Sequence, residues 1–364
     1  MSTRNIELPV APVGRYQSPA RKPEELPLVS VILPVRNEEK AIARVLDSVR
    51  LQDYPRDKME VIVADGMSVD QTRRIVLLAA AKDPRIRLVD NPRQIMAAGF
   101  NAGLHIARGE VIVMLGGHTE LSPNYLRACS SALQRGLADC VGGVTRSTEG
   151  NTRVARAISL AMSSRFGVGG ATFRVGCGER EYVDTVAFGA YSREAIERIG
   201  PLDEEFVRGQ DDEFNYRLRK LGGRILIAPE LTCSYTSRSS LASLWRQYFQ
   251  YGYWKVRVLQ KHPRQMQARQ FAPAAFVGSL LFFLGLAMFR PAVGFGLALF
   301  LGIFYASVAI YESVSLAGRE REWGLAPLVA VTFPVLHFSY GTGFLAGLAK
   351  FHRGWQSFNW GAGS

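Results

Sequence analysis

The chain has 364 residues, 48% hydrophobic and 21% charged, and its 44 Lys and Arg against 32 Asp and Glu give a formal net charge of +12. A balance this basic fits nucleic acid or an anionic membrane, but Arg246, Lys255, Arg257, Lys261, Arg264 and Arg269 fall just ahead of long apolar runs, where headgroups attract them. No zinc knuckle, RNP signature or helix-turn-helix pattern is visible, so nucleic acid is not an expected partner.

Residues 1–27 mix charged residues with several prolines and contain no apolar core of signal-peptide length. They read as a disordered or surface-lying leader, which leaves the following domain in the cytosol. From residue 28, short β-branched runs alternate with amphipathic stretches, the pattern of an α/β domain with a doubly wound, mostly parallel sheet. Leu28 to Val35 forms the first strand, and Lys40 to Arg50 a helix with Ile42, Val45, Leu46 and Val49 on one face. Met59 to Asp65 is the second strand, followed by a helix from Asp70 to Ala81. Arg85 to Asp90 is a short third strand, Met96 to Arg108 a helix, and Glu110 to Leu115 the fourth strand.

In such a sheet ligands bind outside the carboxyl ends of the strands. The loops there are Pro34-Val-Arg-Asn-Glu38, Asp65-Gly-Met-Ser-Val-Asp70, Asn91-Pro-Arg93 and Gly116-Gly-His-Thr-Glu120. None carries the GxGxxG turn of a dinucleotide fold or a Walker GKS/T, which argues against hydride transfer and P-loop ATP hydrolysis. What remains is a mononucleotide pocket, with carboxylates for a base and ribose and glycines where backbone approaches a ligand. Each loop also has a plain structural account: Asn37 and Glu38 as helix caps, Asp65-Gly66 as a turn, Ser68 to Asp70 as an N-cap. Cys129, Cys140, Cys177 and Cys233 form no CxxC pair and read as reduced structural thiols.

Further on, Asp211, Asp212 and Glu213 stand in a row at the start of a helix that continues to Lys220. A helix dipole stabilises carboxylates at this end. Three in succession repel one another, however, and at least one is expected to serve chemistry. Leu244 to Leu259 interleaves Trp245, Tyr248, Tyr251, Tyr253 and Trp254 with Arg246, Lys255 and Arg257, which suits a helix lying in the membrane interface or one covering the sheet. Three apolar runs follow, Phe271 to Phe289, Ala292 to Tyr311 and Leu325 to Ala349, each near or above the roughly 18 to 20 residues that span a hydrocarbon core. Three transmembrane helices are expected. The third is the least secure, because Pro334, His337 and Gly341, Gly343 and Gly347 interrupt it, and a two-span hairpin or a re-entrant third segment is the alternative.

The expected organisation is a leader (1–27), a catalytic domain (28–240), an interfacial region (241–270), three spans (271–349) and a tail (350–364). The catalytic domain, Arg319 and Arg321 lie in the cytosol and the tail outside, in a multi-pass protein of the cell inner membrane. Glu312 and His337 alternatively mark a polar pathway through the spans.

Pro34-x-x-Asn-Glu38, Asp65-Gly-x-Ser-x-Asp70, the helix Gly99 to Glu110 and Gln210-Asp-Asp-Glu-Phe-Asn-Tyr-Arg217, in that order, resemble the motifs of the family 2 inverting glycosyltransferases, which have the nucleotide-binding GT-A fold. The resemblance covers residues 28–260 and looks closest to the membrane-anchored, succinoglycan-type exopolysaccharide enzymes.

It implies that Glu38 and Asp65 hold the uracil and ribose of a UDP-sugar, that Pro34 and Arg36 shape that pocket, and that Ser68, Arg93, Gly117 and His118 complete the donor contacts. Asp211 takes the place of the general base, with Asp212 next in line. The branch has Asp-Gly-His after the fourth strand, whereas this chain has Gly116-Gly117-His118, so His118 alone is left as ligand for a divalent cation, Mn2+ or Mg2+. Alternatively His118 binds the phosphates without metal, or Glu120 adds a carboxylate. Asp184, Gln247 and Tyr251 are expected on the acceptor side.

Gln247-Tyr-Phe-Gln-Tyr251 departs from the Gln-x-x-Arg-Trp motif of processive synthases, Gln250 standing in place of Arg. The implied activity is therefore transfer of a single sugar from a UDP-hexose to a lipid-linked acceptor, for example a sugar on polyprenyl diphosphate, in envelope glycan synthesis and in association with other enzymes of that synthesis. Two other classes are a catalytically impaired nucleotide-sugar-binding scaffold and a transporter component with a regulatory domain.

Overall fold

The computed structural model describes residues 14–15, 25–148, 152–236 and 240–355; most of the leader and the end of the tail lie outside them. The chain divides into two units, residues 1–148 with 176–236, and residues 149–175 with 237–364.

The first unit is built on one sheet. After β1 (Gly14–Arg15), β2 (Val29–Val35) and β3 (Met59–Asp65) are buried along nearly their whole length, as parallel strands flanked by helices must be. Between them α1 (Ile42–Arg50) buries the expected face of Ile42, Val45, Leu46 and Val49. Next come α2 (Thr72–Lys82), β4 (Ile86–Asp90) and α3 (Met96–Ile106), where a Cβ at Gly103 would overlap Ile32, so glycine lets the helix approach the sheet. β5 (Val111–Met114), β6 (Thr119–Leu121), α4 (Tyr125–Gln134) and β7 (Cys140–Thr148) follow.

After the excursion described below, β8 (Glu181–Tyr182), β9 (Ala190–Ser192), α8 (Arg193–Ile199), α9 (Gln210–Lys220) and β10 (Ile225–Thr236) complete the unit. The strand order is β1-β8-β10-β7-β9-β5-β2-β3-β4, with β6 paired to β10. Two parallel groups, β5-β2-β3-β4 and β7-β10, are joined by the antiparallel strand β9. The sheet is therefore mixed, and the parallel half carries the four strands expected from the sequence. Cys129, Cys140 and Cys233 are buried and free, and burial pushes their thiols up, that of Cys233 to about 12.

The second unit is helical. Residues 149–175, lying between β7 and β8 in the chain, supply α5 (Arg153–Met162) and the single turns α6 (Arg165–Val168) and α7 (Thr172–Val175). The rest is α10 (Leu241–Lys261), α11 (Ala268–Ala287), α12 (Pro291–Arg319) and α13 (Ala326–Lys350). Three helices, Ala268–Ala287, Pro291–Arg319 and Trp323–Lys350, are long and apolar enough to cross a membrane. Arg153 donates to the Gly324 carbonyl and Arg156 pairs with Glu322, so α5 is tied to the α12–α13 turn. His337 is engaged at both ring nitrogens, Nε2 by the Phe166 carbonyl and Nδ1 by the Tyr305 hydroxyl, each at 2.8 Å. It locks α13 to α6 and α12.

Candidate active site

Strand order reverses between β5 and β2, and ligands of α/β sheets bind at such a switch point. The loop after β2 carries Pro34 to Glu38 and the loop after β5 carries Gly116 to His118. They meet directly, with His118 Nδ1 2.9 Å from Glu38 Oε1. Gly117 lies against Val35 and Glu38, where a Cβ would come within 2.9 Å of both side chains, so the close approach needs glycine. His118 stays 44% exposed, which leaves its other face to solvent or a ligand.

The loop after β3 is laced to the loop after β2. Asn37, with φ +55°, donates its N–H to Ser68 Oγ at 2.9 Å and accepts the Val69 N–H on Oδ1 at 2.9 Å. Glu38 N–H donates to Thr72 Oγ1 at 2.7 Å and Glu39 N–H to Asp70 Oδ2 at 3.1 Å. Slight burial works against the Asp70 carboxylate, but these bonds, with those from Thr72, hold its pKa below the ordinary value. Asp65 is fully buried and accepts the Ser68 N–H at 3.3 Å and Arg73 at 3.2 Å. Its carboxylate organises the 65–68 turn from beneath. Arg73 also donates to Asp90 at 2.7 Å, and Asp90 and Asp65 together strengthen its hold on the proton. Pro34 is half-buried against Gly99, and exposed Arg36 packs on Gly66. Arg93 pairs with Glu204, which also accepts from Asn101, so this arginine is tied to the loop before α9.

The three acidic residues at the start of α9 have different surroundings. Glu213 is buried and bonded by Arg217 at 2.8 Å, while Arg217 also donates to the carbonyls of Ile199 and Pro201, so Glu213 anchors the helix. Asp211 and Asp212 are half-buried, and Asp211 Oδ1 accepts the Asp212 N–H at 3.0 Å. Burial lowers the pKa of Arg219, against the attraction of Asp184 and Asp212. Fully buried Asn215 accepts from the Tyr191 hydroxyl at 2.8 Å and donates to Thr185 Oγ1 at 2.8 Å and to the Val186 carbonyl at 3.1 Å. Two residues on, Phe188, with φ +55°, packs at Gly116. The middle of α9 is thus linked through 185–188 to the loop after β5.

Asn215, Phe188 and the Asn37–Ser68 lacing are not apparent from sequence motifs; the one local hint is a polar Asn on the apolar side of α9. Gln210, at 8% exposure, keeps a side-chain oxygen without a hydrogen-bond partner beside Asp211. Gln247 and Tyr251 belong to the second unit, where Gln247 donates to the Tyr251 hydroxyl at 2.8 Å.

Among the described residues no three His, Cys, Asp or Glu side chains gather to hold a metal ion. Glu120 is drawn to Arg44 at 3.2 Å. A Cβ at Gly116 would stand 3.1 Å from Thr119 Oγ1, a buried hydroxyl that lacks a partner. Of the residues in this loop, His118 would hold a divalent cation through Nε2, the ring nitrogen that Glu38 leaves open.

Residues 30–200 match the family model described as glycosyl transferase family 2. The chain is 29% identical over 331 residues to the succinoglycan biosynthesis protein ExoA of Rhizobium meliloti, covering 89% of this chain and 96% of that protein. It is 28% identical over 337 residues to a dolichyl N-acetyl-alpha-D-glucosaminyl phosphate 3-beta-D-2,3-diacetamido-2,3-dideoxy-beta-D-glucuronosyltransferase of Methanococcus voltae, covering 88% and 97%. Among solved structures, the mannosyltransferase PcManGT of Pyrobaculum calidifontis, in complex with GDP-Man and Mn2+, shares the fold with a TM-score of 0.53 at 20% identity, over 93% of this chain and 90% of that one. Residues 30–200 form a glycosyl transferase family 2 domain of GT-A fold, in a chain related to ExoA that carries C-terminal helices long and apolar enough to cross a membrane.

Proposed function

We propose that the protein transfers one hexose from a UDP-sugar to a lipid-linked acceptor with inversion at the anomeric carbon. The uracil and ribose occupy the crevice between the loops after β2 and β3, against Pro34, Arg36 and Glu38, with the 65–68 turn held in shape by buried Asp65. The diphosphate lies toward Gly117 and His118, and Arg93 borders it.

Asp211 accepts the proton of the acceptor hydroxyl as that oxygen bonds to the anomeric carbon, and the bond from that carbon to the diphosphate oxygen breaks on the opposite face. Asp212 and Asp184 hold the acceptor. Leaving charge on the diphosphate is met by His118; a divalent cation held at its Nε2 would supply further charge stabilisation there. The relative of Methanococcus voltae has a name that describes a dolichyl-linked sugar phosphate acceptor, and a lipid-borne acceptor suits a chain with three apolar helices.

The support rests chiefly on Asn215, which ties the middle of α9 to the segment 185–188 beside Gly116. Membranes containing the protein, given labelled UDP-hexoses and a lipid extract, are expected to move label into the lipid phase. Absence of transfer with every donor and cation, or full transfer by Asp211→Asn, overturns the reading.

A further inference from the structure

The helices α11 and α12 form an antiparallel hairpin. Its turn is tight, Gly294 packing on the backbone of Ala287, and Phe276 stacks on Tyr305 at 4.6 Å, so these two rings mark one level of the hairpin. Beyond that level it stands clear of the other described residues: Cβ atoms added at Gly278, Gly285, Gly296 and Gly302 would meet none of them within 4 Å, and Phe282, Phe289, Phe300 and Phe304 are exposed. The 20-residue α11 is about 30 Å long, enough to cross a hydrocarbon core.

The course of α13 differs. It starts beside the end of α12, with Trp323 against Gly318, and its first half clusters with Leu316 and Ala309 before His337 reaches Tyr305. Past Pro334, which cannot continue the helical hydrogen-bond ladder, it turns back down α11: Phe338 meets Phe276 at 5.4 Å, Gly341 packs on the Pro273 carbonyl, and Phe344 meets Phe271 at 5.9 Å. Its last carbonyl, that of Phe351, accepts from Gln260 at 2.6 Å, at the end of α10 and just ahead of the start of α11. Both ends of α13 therefore lie at the base of the hairpin.

The neighbour of α13 makes the same point. α10 runs parallel to its second half, Gly252 packing on Tyr340, Gly343 on Phe249 and Gly347 on Tyr253. α10 carries Arg246, Lys255, Arg257 and Lys261, charges that hydrocarbon excludes and anionic headgroups attract. Half of the most apolar stretch of α13 is buried, against 17% in α11 and 11% in α12.

We propose that only α11 and α12 cross the bilayer, and that α10 and α13 lie together along the leaflet from which the hairpin enters, their aromatic and basic side chains facing its headgroups. This surface is a lipid-docking shelf, and it returns the chain after Lys350 to the side on which α10 begins. The inference is independent of the sugar-transfer chemistry.

Variants Ala242→Cys, Arg290→Cys and Lys350→Cys, each in the full chain with Cys177→Ser and with Cys129, Cys140 and Cys233 buried, test it with a membrane-impermeant maleimide on sealed vesicles of both orientations. Positions 242 and 350 are expected to label from one side and position 290 from the other. Labelling of 350 from the side of 290, or of all three from one side, overturns the proposal. If a variant does not accumulate, C-terminal fluorescent-protein and alkaline-phosphatase fusions of the unmutated chain report the side of the tail: fluorescence without phosphatase activity supports the proposal, and the converse overturns it.

Discussion

Glu38 and His118, 80 residues apart in the chain, share a 2.9 Å hydrogen bond across the switch point of the sheet. A carboxylate on Nδ1 sets the tautomer and aim of the ring, leaving Nε2 as the atom offered to phosphate or a cation. Glu38→Ala is expected to lower turnover about 10- to 100-fold, as loss of an orienting partner does. His118→Ala should cost at least as much, and the double variant little more than His118→Ala alone. Equal and additive losses in a double-mutant cycle of initial rates would separate the two residues.

Asp211→Asn keeps the shape of the start of α9 and removes the proton acceptor. Turnover is expected to fall about 100- to 10,000-fold while UDP binding, read by calorimetry, stays unchanged. Asp212→Asn is expected to act mainly on the KM for acceptor.

Gly116 does not have a positive φ, and a Cβ there would need Phe188 and Thr119 to yield by only a few tenths of an ångström. Gly116→Asp is therefore expected to fold, to give the orphaned Thr119 hydroxyl an acceptor and to add an oxygen ligand beside His118. Mn2+ should bind several-fold more tightly in the presence of UDP, a change that Mn2+ paramagnetic resonance measures directly.

Buried Glu60 accepts from Ser30 at 2.6 Å, from the Arg108 N–H at 2.6 Å and from Arg87 at 3.2 Å. Burial pushes its carboxyl up, but these bonds and the arginine charges outweigh it and the pKa ends below the ordinary value. A depressed folded value gives stability that is complete above the ordinary carboxylate range and is lost as pH falls through the folded value. Glu60→Gln is expected to cost roughly 3 kcal/mol near neutrality. Its thermal midpoint should fall less steeply than that of the parent chain between pH 5 and about 3.

Glycines between α10 and α13 permit backbone contact, whereas glycines near the hairpin turn do not touch anything described. Gly343→Leu is expected to destabilise the helical unit by about 3 kcal/mol or more through overpacking, and Gly296→Leu to leave it nearly unchanged. Thermal unfolding in detergent compares the two.

The sequence by itself determined the parallel half of the sheet, the loops that end its strands, the family and the apolar helices. Strands such as 59–65 are written as short β-branched runs and the buried face of α1 in side-chain period, both of which depend only on neighbours along the chain. Tertiary structure alone decided the rest. Antiparallel β9 between β5 and β7 pairs β5, the strand ahead of the His118 loop, with residues some eighty positions later, and no local pattern encodes that order. Segment 149–175, placed by sequence within the catalytic stretch, packs with the C-terminal helices, because the apolar side of α5 and the Phe166–His337 contact find their partners there. Of three adjacent carboxylates in α9, only folding distinguished Glu213, neutralised by Arg217, from Asp211 and Asp212, because burial and ion pairing belong to the assembled core and not to the order of residues.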